Sequence, residues 1–134
     1  ALTANEEVVF VRQYRHGIGE ILLELPAGTF DPNLESPEAA AQRELQEETG
    51  YSAPHLVKLA TLYDNPVKDT NRIHLFLTQN AFISAEQKLD VTEAIEVVLI
   101  PTREILERML SGEICVSGTV AAVYLGLQFL NFSQ

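Results

Sequence analysis

The chain has 134 residues, 46% of them hydrophobic and 21% charged, which is enough apolar material for one core and one domain over 1–134. Its net charge of -10, with nine Lys and Arg in no run, argues against duplex DNA or long RNA as a partner. A single cysteine, Cys115, rules out an internal disulfide, and no apolar stretch approaches the length of a membrane span. A small anionic ligand stays open if divalent cations supply positive charge. No secretory signal is visible, and the cytoplasm is the expected compartment. The chain starts without Met, in what reads as the tail of a strand, so upstream residues are expected.

In chain order, Val8–Val11 is β-branched and reads as a strand, continued by Arg12, Gln13, Tyr14 and Arg15. Gly17 and Gly19 break it, and Ile21–Leu25 forms a second strand ending at Pro26-Ala27-Gly28. Ser36 is a good N-cap, Pro37 suits the first helical position, and Gly50 is placed for a left-handed end. A helix is therefore expected between them. Strands follow over His55–Tyr63, Arg72–Thr78 and Ala94–Ile100, with a polar loop from Asp64 to Asn71. Pro101 opens a helix that Gly112 closes. Ser117 to Phe132 is a last helix, with Val120, Val123, Tyr124, Leu127 and Leu130 on one stripe. Cys115 reads as a small buried hydrophobe. These elements suggest a mixed sheet packed against helices.

Chemistry concentrates on the helix before Gly50. Residues three and four apart share a helix face, so Glu44, Glu47 and Glu48 project together. They repel one another, and Glu47 and Glu48 also meet the negative end of the helix dipole. Each effect costs from a few tenths to about 1 kcal/mol. Hard cations such as Mg²⁺ or Mn²⁺ would relieve the conflict, because they prefer carboxylate oxygen. A solvated face with an Arg43–Glu47 pair explains the spacing equally well, and both readings remain open on these residues alone.

Glu35 followed by Arg43-Glu44-Leu45-Gln46-Glu47-Glu48-Thr49-Gly50-Tyr51 resembles the Nudix box. The match from Glu35 to Gly50 is complete. Tyr51 replaces an aliphatic residue, and Gly28 lies one residue too far from Glu35, with six between them. Val11–Arg15, Glu24–Gly28 and the closing third of the chain are similar to the ADP-ribose pyrophosphatase branch. The resemblance covers nearly the whole chain. It implies an α/β/α sandwich around a mixed sheet, and Mg²⁺-dependent (or Mn²⁺-dependent) hydrolysis of the pyrophosphate in ADP-ribose or a related nucleotide sugar.

By position, the resemblance makes Glu44, Glu47 and Glu48 metal ligands, with Glu47 and Glu48 at the centre of catalysis. Arg43 would hold a carboxylate of the helix, Glu35 would brace the loop, and Gly28 and Gly50 would serve backbone geometry. Glu93 best matches the branch's late catalytic glutamate, with Glu96 second. Arg12, Arg15, Glu24 and Gly28 are the substrate-binding candidates. For Arg12 and Arg15, the alternative is strand-edge pairing with Glu20 or Glu24. The resemblance also implies a homodimer.

The loop after Tyr63 departs from the branch. Asn65-Pro66-Val67-Lys68-Asp69-Thr70-Asn71-Arg72 lacks the expected glycine and glutamate, and Lys68 and Arg72 add positive charge instead. A substrate other than ADP-ribose is therefore open. His74 lies on a strand whose alternation could point it at the cleft, with a surface or satisfied histidine as the preferred reading. Two alternatives accompany the main reading: a hydrolase of dinucleoside polyphosphates or oxidised nucleotides, and a non-catalytic nucleotide-binding module.

Overall fold

The computed structural model describes residues 1–132. In chain order the elements are β1 (Glu7–Arg15), β2 (Glu20–Glu24), α1 (Pro37–Thr49), β3 (Tyr51–Ser52), β4 (Val57–Tyr63), β5 (Arg72–Leu77), β6 (Phe82–Ile83), β7 (Ile95–Pro101), α2 (Thr102–Leu110) and α3 (Ser117–Phe132). β1 is the hub, pairing with β2 on one side and β7 on the other. Two smaller ladders, β3–β6 and β4–β5, complete the pairing. All four ladders are antiparallel. The parallel contact that makes the arrangement mixed is the isolated bridge between Thr3 and Ala81. The short β3 and β6 had no signal in sequence, because two residues show no periodicity.

Successive side chains of a strand point to opposite faces, and β1 uses both. Phe10 packs with Leu23, Ile100, Ile105, Ile114 and Val123, placing α2 and α3 on one face. Val9 packs with Leu45, Tyr51 and Ala81, placing α1 on the other. The strands thus lie between helices, and the acidic helix is anchored through Leu45.

Two packing expectations need correction. Cys115 is exposed. Its neighbour Ile114 takes the core position instead, and it buries more apolar area there. Tyr124 is also exposed. It lies one residue, about 100° of helix, from the buried Val123. No helix among the described residues is long and apolar enough to cross a membrane.

Candidate active site

Local capping sets the limits of α1. The Ser36 side chain accepts a hydrogen bond from the Ala39 amide at 3.1 Å, and Pro37 occupies the first turn. Gly50 adopts a left-handed φ of 78°, and its N–H donates to Gln46 O at 2.8 Å. A side chain at Gly50 would also overlap the Ala85 carbonyl. Only glycine avoids both penalties.

Beyond Gly50, the chain from Ser84 to Lys88 closes over the helix end. Ser84 and Ala85 amides donate to Gly50 O, and Lys88 N–H donates to Glu47 O at 2.7 Å. Gln87 Nε2 donates to Glu48 O at 2.7 Å and to Ile95 O at 3.2 Å. The last helical carbonyls, which have no partner within the helix, are satisfied by this loop. Gln87 was not singled out from sequence. Nothing in its loop is periodic, and its role depends on two backbone carbonyls far from it in the chain.

Arg43 organises the acidic face. Its Nη2 donates to Glu35 Oε1 at 2.7 Å, with Nε reaching both Glu35 oxygens. Its Nη1 donates to Glu44 at 2.9 Å and to Glu47 at 3.1 Å. The i,i+4 pair with Glu47 is present, and Glu35 shares the same guanidinium. The hydrogen bond to Glu35 leads in raising the Arg43 pKa, and the Arg43 bond lowers the pKa of Glu35.

Glu48 turns elsewhere. It is 5% exposed, and its Oε2 accepts the Ala27 amide at 3.1 Å. Burial pushes its pKa up to about 7, opposed by the Ala27 N–H and reinforced by the charges of Glu44 and Glu93. Glu44 is also raised, first by burial, then by Glu47 and Glu93, against the pull of Arg43. Among the described residues, no three His, Cys, Asp or Glu side chains converge as a ready-made metal cage.

The late loop brings Glu93 close enough for its charge to act on both Glu44 and Glu48. Glu93 Oε1 accepts the Asp90 amide at 2.9 Å. Glu96 faces away. It lies opposite Arg12 in the β1–β7 register and pairs with it at 3.7 Å. That pair is exposed and contributes little.

Arg15 is held by Glu24 through two bonds of 2.7 and 3.0 Å. The Glu24 bond leads in raising the Arg15 pKa. Cross-strand pairing therefore describes both arginines, although Arg12, on the central strand, takes Glu96 rather than Glu20 or Glu24.

Gly28 sits against the box despite its irregular spacing. A Cβ there would overlap the Glu44 side chain. The extra residue is absorbed by a turn over Asp31–Glu35, in which the Leu34 and Glu35 amides donate to Asp31 O. Glu24, Gly28 and Glu44 line a cleft of about 370 Å³ that continues past Phe30 to Asp64, Arg72 and His74. His74 is half-buried in this cleft and hydrogen-bonded to Thr61, a satisfied histidine rather than one on open surface.

A model of the NUDIX domain matches residues 1–113. The chain belongs to the NUDIX domain family. Its similarity to characterised family members extends over most of the sequence. The ADP-ribose pyrophosphatase of Bacillus subtilis (strain 168) is 33% identical over 130 residues, covering 96% of this chain and 70% of that protein. The Mycobacterium tuberculosis ADP-ribose pyrophosphatase is 33% identical over 124 residues, covering 92% of this chain and 60% of that one. A GDP-mannose pyrophosphatase of Escherichia coli O9:H4 is 33% identical over 130 residues, covering 88% and 65%. The crystal structure of an ADP compounds hydrolase superposes with a TM-score of 0.84 at 23% identity, over 97% of this chain and 69% of that one. The fold and family are those of a Nudix hydrolase.

Proposed function

We propose that this Nudix hydrolase cleaves the pyrophosphate of a nucleotide sugar, with ADP-ribose the first candidate, giving a nucleoside monophosphate and a sugar phosphate. The observation that carries this reading is the buried Glu48 carboxylate, set beside Glu44 and under the charge of Glu93. A buried carboxylate with two like charges acting on it, against the pull of Arg15, is poorly placed for structure alone. The names borne by the Bacillus and mycobacterial relatives support the substrate class, and the Escherichia relative adds GDP-mannose to the substrates to be tried.

The donors fit a hard divalent cation in kind, since all three are carboxylates and two have pKa values raised by burial. Glu44, Glu47 and Glu48 would hold Mg²⁺, for which Mn²⁺ is an alternative. Such an ion, when bound, offsets phosphate charge and makes water more acidic.

The chain's own residues supply the rest. Arg43 restrains Glu44 and Glu47 and ties them to Glu35. Gly28 leaves room for the Glu44 side chain. Glu93 accepts the proton of the attacking water as its oxygen bonds to phosphorus. The bridging P–O bond breaks, and the monophosphate leaves. Glu24, which lines the cleft and holds Arg15, offers one edge to the nucleoside, and Arg12 lies on the same strand as Arg15.

Residues 1–134 are proposed to belong to one domain, acting in the cytoplasm as a homodimer. Sedimentation at micromolar concentration checks the last point, and a monomer there refutes it.

The central experiment is a panel of ADP-ribose, GDP-mannose, dinucleoside polyphosphates and oxidised nucleotides with Mg²⁺ or Mn²⁺. Turnover of a nucleotide sugar is expected, with Glu48→Gln lowering it at least about 100-fold. Full activity of Glu48→Gln at saturating metal overturns the reading.

A further inference from the structure

The sequence departs from the Nudix branch pattern in two places, and both meet in one wall of the cleft. The first is the long spacing between Gly28 and Glu35, which carries Phe30. The second is the segment after Tyr63, which carries Asp64 and ends at Arg72. Phe30, Asp64, Arg72 and His74 line the same cleft as Glu24, Gly28 and Glu44. Segments so far apart in the chain had no local reason to meet.

The wall is organised. His74 lies opposite Thr61 in the β4–β5 register, and Thr61 Oγ1 is 3.1 Å from His74 Nδ1. Phe30 stands edge-on to the same ring, with centres 5.9 Å apart and planes at 66°. These contacts fix the imidazole. Its other nitrogen, Nε2, has no hydrogen-bond partner among the described residues. Arg72, two residues away on β5, shares its strand face. It has no carboxylate partner among the described residues, whereas Glu96, Glu24 and Glu35 hold Arg12, Arg15 and Arg43.

The wall therefore presents a guanidinium fork, a ring nitrogen and a carboxylate acceptor beside an aromatic edge. A hydroxyl-rich phosphate ester matches that set. Its phosphoryl group takes paired donors from Arg72, and its hydroxyls suit Asp64 and His74. A purine gives Arg72 no anion to bind. We propose that Phe30, Asp64, Arg72 and His74 form the subsite for the sugar-phosphate end of the substrate and set which nucleotide sugar is accepted. This rests on the nucleotide-sugar reading of the same cleft.

The test separates the two halves of the substrate. Calorimetry in Mg²⁺ measures binding of ribose 5-phosphate and of AMP to the wild-type chain, Arg72→Gln and His74→Ala. Ribose 5-phosphate should bind about tenfold more weakly to either variant, with AMP unchanged. In turnover of ADP-ribose, KM should rise by a similar factor while kcat holds. Unchanged melting temperatures show that the variants fold, and Arg72, being exposed, can be replaced without loss of core. Weakened AMP binding with ribose 5-phosphate unaffected would make this wall a base subsite and overturn the proposal. So would no effect on either ligand, or no ribose 5-phosphate binding to the wild type. A chain that turns over no nucleotide sugar would refute the function instead, and ribose 5-phosphate binding still reads the subsite.

Discussion

The Ala27 amide donates to Glu48 Oε2 across 3.1 Å, joining the turn after β2 to the last turn of α1. Among the described residues this bond is the direct polar contact of a buried carboxylate whose pKa burial, Glu44 and Glu93 raise and Arg15 lowers. Burial outweighs this bond, so the Glu48 pKa stays raised when no cation is bound.

Glu48 has a folded-state pKa of about 7, against an ordinary value of 4.5. Between those values the unfolded chain has released a proton that the folded chain keeps. The contribution of Glu48 to stability is thus fully present below about pH 4.5 and lost as pH rises through about 7. Glu44 is shifted in the same direction. Melting in chelator should show Tm falling across this window, and Glu48→Gln should remove most of the slope. A wild-type Tm that is level or rising there contradicts the assignment.

Arg43→Ala releases Glu35, Glu44 and Glu47 together. Turnover should fall roughly 10- to 100-fold, the usual cost of losing a group that orients metal ligands. Arg43→Lys should recover only part of it, because an ammonium cannot reproduce the fork that spans three carboxylates. Steady-state rates of both variants check this, and full rescue by lysine would argue for charge alone.

Gly50→Ala should destabilise the chain by at least about 1 kcal/mol. The new methyl group meets a positive φ and the Ala85 carbonyl at once. Denaturant melts give the loss. Hydrogen exchange should quicken at the Ser84 and Ala85 amides, which bond to Gly50 O.

Gln87→Ala cuts the bonds that tie Glu48 O to Ile95 O. Glu93 lies two residues before Ile95, so its loop should loosen. A fall in kcat of about tenfold with little change in KM is expected. The effect of Glu93→Gln should also shrink in the Gln87→Ala background, since coupled residues are not additive. Additive losses would place Gln87 outside the path to Glu93.

The acidic helix was legible because its determinants are local. Ser36, Pro37 and Gly50 mark its ends within the chain's own short-range geometry, and the i, i+3, i+4 spacing puts Glu44, Glu47 and Glu48 on one face before any tertiary contact forms. Strand positions were legible for the same reason, apart from β3 and β6, which are too short to show a period. The partners of those elements were not. Register decided that Arg12 meets Glu96, since a shift of one residue exchanges the faces of a strand, while Arg15, opposite Glu20 in register, reaches along the ladder to Glu24 instead. Loop closure decided that the charge of Glu93 reaches Glu44 and Glu48, while Glu96 pairs with Arg12. Packing decided that Gly28 still meets Glu44 across an irregular spacing, and that Phe30 and His74 share a cleft.

The Nudix box alone therefore determined the family and the set of carboxylates at issue. Only the tertiary structure decided which of them is buried, what restrains the others and what faces them. Those outcomes depend on contacts between segments tens of residues apart, whose geometry no local pattern encodes.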